Sequence, residues 1–321
     1  MEKVMTADKL GVQVGHAVIL RNGASLARHQ YGYIAKHPEH GEHIVSGKIR
    51  LYWLDSLGVY GLYGFPIEDA YEENGVLSQR FEFGTLRTDM PGIRDGIDLR
   101  GEIARRGIAV RDQGKRGTCS VQVMVFLLEY LYSGLLGGDY SHLSVEYSNH
   151  FGNVAFGERD DGHCFDRMEA AYNEYGIVSD NLWRYDKEWE YDYDRACTIA
   201  TPEMIAEGRR LIDPNMKLRG RFVKPLDGTV GLTDELFAEM IALLDQGIPL
   251  GVGRDHSLTA VGYRLAPDLP GGGYMLFRNS YGTNLEFTGY QTETFELVKK
   301  TVNDVYVYYP NNYVDERKSA V

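Results

Sequence analysis

The chain has 321 residues, of which 43% are apolar and 25% are charged, so it can bury a core without disulfides or metals. Its net charge of −12 and the lack of a Lys/Arg-rich patch argue against a nucleic-acid or membrane-surface partner. No segment approaches the ~20 consecutive apolar residues of a membrane-spanning helix. The first residues lack the apolar stretch of a secretory signal, and three cysteines are too few for a disulfide framework. We therefore expect a cytoplasmic protein.

The first 95 residues are rich in Gly, Tyr and β-branched residues and contain no convincing helical pattern. Turn signals such as Asn22-Gly23 separate short apolar runs, a spacing typical of a small antiparallel sheet or barrel. Strands are predicted at residues 16–23, 31–36, 43–54, 58–65 and 77–86. Residues 88–96 have the composition of a linker. The sequence thus predicts a small β-rich accessory domain over 1–95 and a second domain over 96–321.

Helical patterns come first in the second domain and strand patterns follow. The run from Cys119 to Leu136 is apolar on nearly every face, which is typical of a buried helix that nearby glycines can end. Amphipathic helices are predicted over 165–176 and 233–247, and Thr233 can cap the second one. Strands are predicted at 248–253, 256–265, 273–280 and 302–310. This segregation predicts an α+β fold.

Cys119 lies where a polar, glycine-bearing loop turns into the buried helix. A nucleophilic cysteine must be a thiolate, and a helix N-terminus or a nearby imidazolium lowers the thiol pKa from its usual ~8.5. His256 opens a predicted strand, and Asn279 follows the next one, where its amide can orient the imidazole. The side-chain amide of Gln113 and the backbone N–H of Cys119 can stabilise an oxyanion. These residues predict acyl-transfer chemistry.

Three segments carry a resemblance to papain-like cysteine peptidases. DQGKRGTCSV (112–121) resembles the family's cysteine segment, RDHSLTAVGY (254–263) its histidine strand, and FRNSYG (277–282) its Asn-Ser-Trp-Gly segment. Two further stretches, 143–151 and 161–177, resemble its Leu-Ser-x-Gln-x-Leu region and its glycine pair with the following helix. The resemblance covers residues 97–310 in the family's order.

The resemblance implies a papain-like fold, with a helical subdomain around a buried central helix and an antiparallel β subdomain. It implies that Cys119 is the nucleophile, His256 the acid/base, Asn279 the residue that orients His256, and Gln113 the oxyanion donor. Gly162 and His163 fall where the family binds the substrate backbone. No cofactor is implied.

Four positions depart from the family pattern. Ser120 replaces an aromatic residue after the nucleophile, and Tyr281 replaces the Trp that shields the Asn–His pair. His163 replaces the second glycine of the cleft, where its side chain could narrow the cleft or select a substrate. Arg116 replaces the cysteine of an active-site disulfide. We expect Ser120, Tyr281, Gly162 and His163 to line the substrate cleft, whose specificity these changes leave open.

The resulting prediction is a cysteine peptidase that acts on a peptide or protein substrate through an acyl-enzyme. One alternative is acyl transfer to an amine by the same Cys–His pair, and another is a catalytically silent binding protein on the same fold. The N-terminal domain could be a gate, a substrate-presenting module or an interaction module. The oligomeric state stays open.

Other motifs receive simpler interpretations. His37, His40 and His43 recur at three-residue spacing after His29 and could bind Zn²⁺ or Ni²⁺. Pro38 and Gly41 break any helix that would align them, so we favour a solvated loop and expect no metal.

Cys164 and Cys197 are expected to be structural. Residues 183–195 are interpreted as a surface loop or irregular edge, with substrate contact as the alternative. The acidic stretch 157–162 lacks the rest of a calcium loop.

Overall fold

The computed structural model describes residues 4–13, 17–20, 23–89, 96–135, 142–210, 212, 217–283 and 288–310. The chain divides into two compact units. The first contains Met1–Gly96, Tyr263–Phe277 and Thr283–Leu297, and the second contains Ile97–Gly262, Arg278–Gly282 and Val298–Val321. Within the described ranges no helix has the length and apolar character needed to cross a membrane.

The first unit contains two small antiparallel sheets and one helix from its N-terminal segment. Strands β1 to β4 form a four-stranded sheet in chain order, and β5 to β7 form a three-stranded one. The bounds are β1 Val18–Ile19, β2 Ser25–Arg28, β3 Gly32–His37, β4 Gly41–Ser46, α1 Gly47–Asp55, β5 Tyr71–Glu73, β6 Val76–Phe81 and β7 Gly84–Arg87.

Residues 43–46 of the predicted strand over 43–54 lie in β4. From Gly47 onward, helix α1 replaces that strand and contradicts the expectation that no helix interrupts the N-terminal strands. Its β-branched and aromatic residues suggested a strand, but its burial follows the period of a helix. Ile49 and Trp53, four residues apart, are fully buried, whereas Leu51 and Leu54 on the opposite face are exposed. The Trp53 indole N–H also donates to the Gly64 carbonyl at 2.9 Å. Packing therefore overrode local propensity.

Two other predictions for this segment need correction. Residues 58–65 are not a strand but begin with a 3₁₀ turn over Gly58–Tyr60. The predicted strand over 77–86 is a hairpin, formed by β6 and β7. The first predicted strand is described in part, as β1, since residues 14–16 and 21–22 lie outside the described ranges.

From Gly96 onward the helices precede most of the strands, as predicted. The elements are β8 Gly96–Asp98, α2 Arg100–Arg105, α3 Cys119–Leu135, α4 Val145–Phe156, α5 Phe165–Tyr175, α6 Tyr193–Ile199, α7 Pro202–Arg210, β9 Leu218–Lys224, α8 Asp234–Leu244, β10 Leu250–Gly253, β11 Leu258–Leu265, β12 Gly273–Arg278, β13 Tyr290–Thr294, α9 Phe295–Thr301 and β14 Asp304–Pro310. The α+β fold class is confirmed.

Helix α3 is buried on all sides, which explains its uniformly apolar sequence. Val121, Met124, Val125 and Phe126 follow one another around the helix and are all fully buried. Gly134 lies within the helix, and the other glycines expected to end it lie outside the described residues. Thr233 caps α8, as predicted, by accepting a hydrogen bond from the Leu236 N–H.

One antiparallel ladder of the second unit runs β9, β14, β10 and β11. Helices α3 and α5 pack on it, since a Cβ added to Gly251 in β10 would lie 3.2 Å from Phe165 and 3.3 Å from Val123. The turn between β10 and β11 contains His256, and Asn279 directly follows β12. The ladder therefore fixes the backbone on both sides of this histidine.

Candidate active site

Cys119 is the first residue of α3 and is half-buried. The first N–H groups of a helix have no acceptor in a preceding turn, so they create a positive field at the thiol. The buried helix behind Cys119 cannot shift without disturbing the core. The backbone of Cys119 is therefore held in place by the buried helix.

The Cys119 thiol is hydrogen-bonded to the His256 side chain and to both the backbone N–H and the side chain of Ser257. Burial alone would raise the pKa of the thiol, but these hydrogen bonds and the charge of His256 lower it from 9.0 to about 7. Sequence reasoning missed Ser257, although its position next to His256 could have suggested it. The thiol is therefore partly ionised at neutral pH.

His256 connects Cys119 to Asn279. Its Nε2 lies 2.8 Å from Asn279 Oδ1, so Nε2 donates and Nδ1 is the nitrogen left to face the sulfur. Burial lowers the pKa of His256, but the hydrogen bonds to Cys119 and Asn279 outweigh it and raise this pKa above its usual value. Asn279 Oδ1 also accepts the Ser280 N–H at 2.7 Å, which fixes the amide. The pair is thus arranged to hold a thiolate and an imidazolium.

Gln113 is buried beside Ser280. Its side-chain carbonyl accepts from the Ser280 hydroxyl, and its amide donates to the Arg116 carbonyl at 2.8 Å. The amide has two hydrogens, so one is left for an oxyanion. Gly114 makes the loop possible, because it has φ +63° and an added Cβ would lie 2.8 Å from the Lys187 carbonyl oxygen.

Comparison with solved structures decides the fold family. Xylellain, a cysteine protease from Xylella fastidiosa, aligns with a TM-score of 0.52 and 15% identity over 69% of this chain and 87% of its own. The chain has a papain-like fold.

Two further structures align with lower scores. Digestive procathepsin L 3 from the Tenebrio molitor larval midgut has a TM-score of 0.46 and 17% identity over 70% of this chain and 71% of its own. A cysteine protease from Carica candamarcensis has a TM-score of 0.46 and 18% identity over 68% of this chain and 99% of its own. No family model and no curated protein matches the sequence.

Arg116 anchors the loop before Cys119 by charge. Its guanidinium binds the buried Glu146 carboxylate and donates to Asp161 from Nε at 3.0 Å and from Nη2 at 2.8 Å. Nη1 also donates to the Asp186 carbonyl at 2.9 Å. Burial lowers the pKa of Arg116, but the hydrogen bonds to both carboxylates outweigh burial and raise this pKa above its usual value. The ion-pair network thus joins this loop to α4 and to the 157–162 stretch.

His163 does not point into a cleft, contrary to the expectation that its side chain could narrow one. Its imidazole is fully buried, with Nδ1 2.9 Å from Glu158 Oε2 and Nε2 3.1 Å from the Asn149 carbonyl. Gly152 on α4 makes the room, since an added Cβ would lie 2.4 Å from the ring. The side chain of His163 is therefore not available to a ligand.

Ser120 binds the same segment. Its hydroxyl accepts the His163 N–H at 3.1 Å, and the Gly162 N–H donates to Asn149 Oδ1 at 3.0 Å. Ser120 therefore brings the backbone of Gly162 and His163 next to the start of α3. A bulky aromatic residue in its place could not make this bond.

Tyr281 stacks on His256, with ring centroids 4.7 Å apart and planes 8° from parallel. Because the two rings are stacked, Tyr281 covers one face of the imidazole, and its own outer face is exposed to solvent (51% exposed). This is the position at which the sequence predicted an aromatic shield.

A groove of about 560 Å³ runs beside the loop that precedes Cys119. It is bordered by Lys115 and Gly117 on one side, and by Asp160 and by residues 187–191 on others. The ring of Trp189 in its wall contacts two guanidiniums, those of Arg116 and Arg195. The groove is polar and charged.

The remaining cysteines differ from expectation. Cys164 and Cys197 are both exposed, so neither is part of the core. Cys164 precedes α5 and Cys197 lies on the outer face of α6. The 183–195 stretch is only in part the predicted surface loop, because Trp183 is buried and residues 193–195 begin α6.

Proposed function

We propose that the chain is a cysteine hydrolase that cleaves peptide or amide bonds, with Cys119 as nucleophile. The observation that carries the proposal is the chain of hydrogen bonds from the Cys119 thiol through His256 to Asn279. In this proposal the three side chains supply the nucleophile, the base and the orienting group that such chemistry requires. The lowered thiol pKa supports the same role.

The first half of the reaction forms a thioester. The Cys119 thiolate attacks the carbonyl carbon, and the electron pair of the C=O bond moves to oxygen. The second amide hydrogen of Gln113 and the Cys119 N–H stabilise this oxyanion. The C–N bond then breaks while the His256 imidazolium gives its Nδ1 proton to the leaving amine.

The second half releases the acid. Neutral His256 takes a proton from water, the resulting hydroxide attacks the thioester carbonyl, and the C–S bond breaks to return the thiolate. Asn279 keeps Nε2 protonated throughout, so that Nδ1 remains the reactive nitrogen. Tyr281 covers one face of the His256 ring, so water approaches the imidazole from the other face.

The substrate is proposed to be a peptide or protein whose backbone runs past Gly162 and His163. Ser120 positions this segment, so its contribution is to hold the binding surface. The mixed charges along the groove beside Lys115 and Asp160 suit a polar peptide better than an apolar ligand.

A peptide-cleavage profile tests the proposal. The unmodified protein is incubated with a proteome-derived peptide mixture, and new termini are identified by mass spectrometry. Cys119→Ala should abolish all cleavage, whereas the matched control Cys164→Ala, which removes an exposed thiol, should retain it. Equal cleavage by Cys119→Ala and the unmodified protein would refute the assignment.

Adding a primary amine to the same reaction separates hydrolysis from acyl transfer. A hydrolase gives free carboxyl termini at every amine concentration. Amine-capped termini as the main product would indicate the acyltransferase instead. If no product forms and Cys119 carries no acyl group with any peptide, the chain is a binding protein on this fold.

A further inference from the structure

Three potential metal ligands meet in the first unit. One ligand atom from each of His37, His40 and Glu82 lies within 4.8 Å of the other two. His37 ends β3, His40 lies in the turn before β4, and Glu82 lies in the turn between β6 and β7. The cluster therefore joins two hairpins that are far apart in sequence.

The Glu82 carboxylate is held in position from its far side. Its Oε2 accepts the Phe65 N–H at 2.9 Å, and its Oε1 lies 3.1 Å from His40 Nε2. Gly64 allows this approach, because it has φ +69° and an added Cβ would lie 2.3 Å from Oε2. Hydrogen-bonded support of this kind orients the carboxylates of metal sites.

The two imidazoles are stacked face to face, so one ring must rotate before a nitrogen of each can bind the same ion. Their centroids are 4.5 Å apart with planes 18° from parallel, and His37 also packs against Phe65. The His40 carbonyl accepts from His43 Nε2 at 2.7 Å, which fixes the turn. His37 Nδ1 accepts the Glu39 N–H at 3.2 Å, so ligation by His37 would replace this long hydrogen bond.

We propose that His37, His40 and Glu82 form a Zn²⁺ site that cross-links the β3–β4 and β6–β7 hairpins. Two imidazoles and a carboxylate are a donor set that Zn²⁺ accepts, and water completes the tetrahedron. The side chains of His40 and Glu82 are 26% and 23% exposed, so an ion can enter. His43 and His29, which the sequence grouped with these histidines, do not belong to the set.

The proposal predicts two properties beyond binding. The ligands must be unprotonated, so acidification weakens the site. An ion that binds only the folded state stabilises it in proportion to the logarithm of its concentration, so Zn²⁺ should raise the melting temperature. Neither property depends on peptide hydrolysis.

Metal titration of the 321-residue chain tests the site. The protein carries Cys119→Ala, so that the thiol and His256 cannot supply ligands, and is dialysed against EDTA. Calorimetry with ZnCl₂ should give one ion per chain, with affinity lowered at least ~10-fold by His40→Gln or Glu82→Gln. His29→Gln, which changes another histidine of this unit, should leave the affinity unchanged. Glu82→Gln keeps an acceptor for the Phe65 N–H, so this variant should fold even if His40→Gln does not.

Visible spectra of the Co²⁺ form identify the donors. Tetrahedral nitrogen and oxygen ligation gives bands that disappear in Glu82→Gln, and no thiolate charge-transfer band accompanies them. Zn²⁺ affinity that is equal in the parent and in Glu82→Gln would overturn the proposal. So would a thiolate band, which would assign the ion to Cys164 or Cys197, or the lack of saturable binding in the parent.

Discussion

Replacement of Arg116 by Met tests whether the ion pairs of Arg116 with Glu146 and Asp161 anchor the loop before Cys119. Met keeps much of the apolar stem but removes the guanidinium. Glu146, which is 0% exposed, then loses its cation, and Asp161 loses two hydrogen bonds. Among the described residues, what remains is a buried carboxylate that accepts the Asp186 N–H at 3.2 Å.

The expected loss of stability is large because the orphaned charge is desolvated. Removing one partner of a buried ion pair typically costs about 3–5 kcal/mol, whereas removing both costs much less. Burial already raises the pKa of Glu146 although Arg116 lowers it, and without Arg116 it rises further. We therefore expect Arg116→Met to lower the free energy of unfolding by about 3–5 kcal/mol near pH 7.

The pH dependence distinguishes an orphaned charge from lost packing. A carboxyl whose pKa is higher in the folded than in the unfolded state binds a proton on folding, so stability falls as pH rises toward the folded-state pKa. Arg116→Met should therefore be less destabilised at pH 5 than at pH 8. Arg116→Met with Glu146→Gln should recover part of the loss and most of the pH dependence.

Urea unfolding followed by circular dichroism measures these differences. Arg210→Met is the matched control, because it breaks an exposed ion pair with Glu207, and its unfolding midpoint should not move measurably. A loss below about 1 kcal/mol for Arg116→Met, with no pH dependence, would show that the network does not anchor the loop.

Three further predictions concern single residues. Asn279→Ala should lower kcat by at most about 10²-fold, less than loss of the base itself, because Asn279 orients His256; a loss as large as that of His256→Ala would contradict this role. Gln113→Ala should lower kcat by about 10²–10³-fold with little change in KM, and a change in KM alone would argue against an oxyanion role. Asp304, whose pKa burial raises to about 6, destabilises the fold once ionised, so Asp304→Asn should gain about 2 kcal/mol at pH 8 and little at pH 4, as measured by urea unfolding.

The sequence predicted features that depend on local pattern. Helix α3 was recognisable because an apolar run follows a polar loop, and the positions of His256 and Asn279 follow from the ends of neighbouring strands. The roles of these residues stay proposals. That Cys119, His256 and Asn279 lie together was predicted from the family resemblance, because local pattern carries no information about contacts between distant segments.

Features that depend on packing between distant segments were not predictable. Helix α1 has strand-like residues and becomes helical because Ile49 and Trp53 share one buried face. The burial of His163 depends on the space above Gly152, and the position of Glu82 beside His40 depends on the pairing of two hairpins. None of these leaves a periodic signal in the chain.

The rate of Cys119 alkylation as a function of pH tests the central claim most directly. Labelling with iodoacetamide is followed by peptide mass spectrometry, with Cys164 as the internal reference. Cys164 is exposed, and partial burial together with the charge of Asp166 raises its pKa. Cys119 should show an inflection near pH 7 and label about 10-fold faster than Cys164 at pH 6.5, since a thiolate fraction about 10²-fold larger is partly offset by lower nucleophilicity. His256→Ala should move the inflection toward 9. An inflection near 9 in the unmodified protein, or no response to His256→Ala, would contradict an activated Cys119–His256 pair.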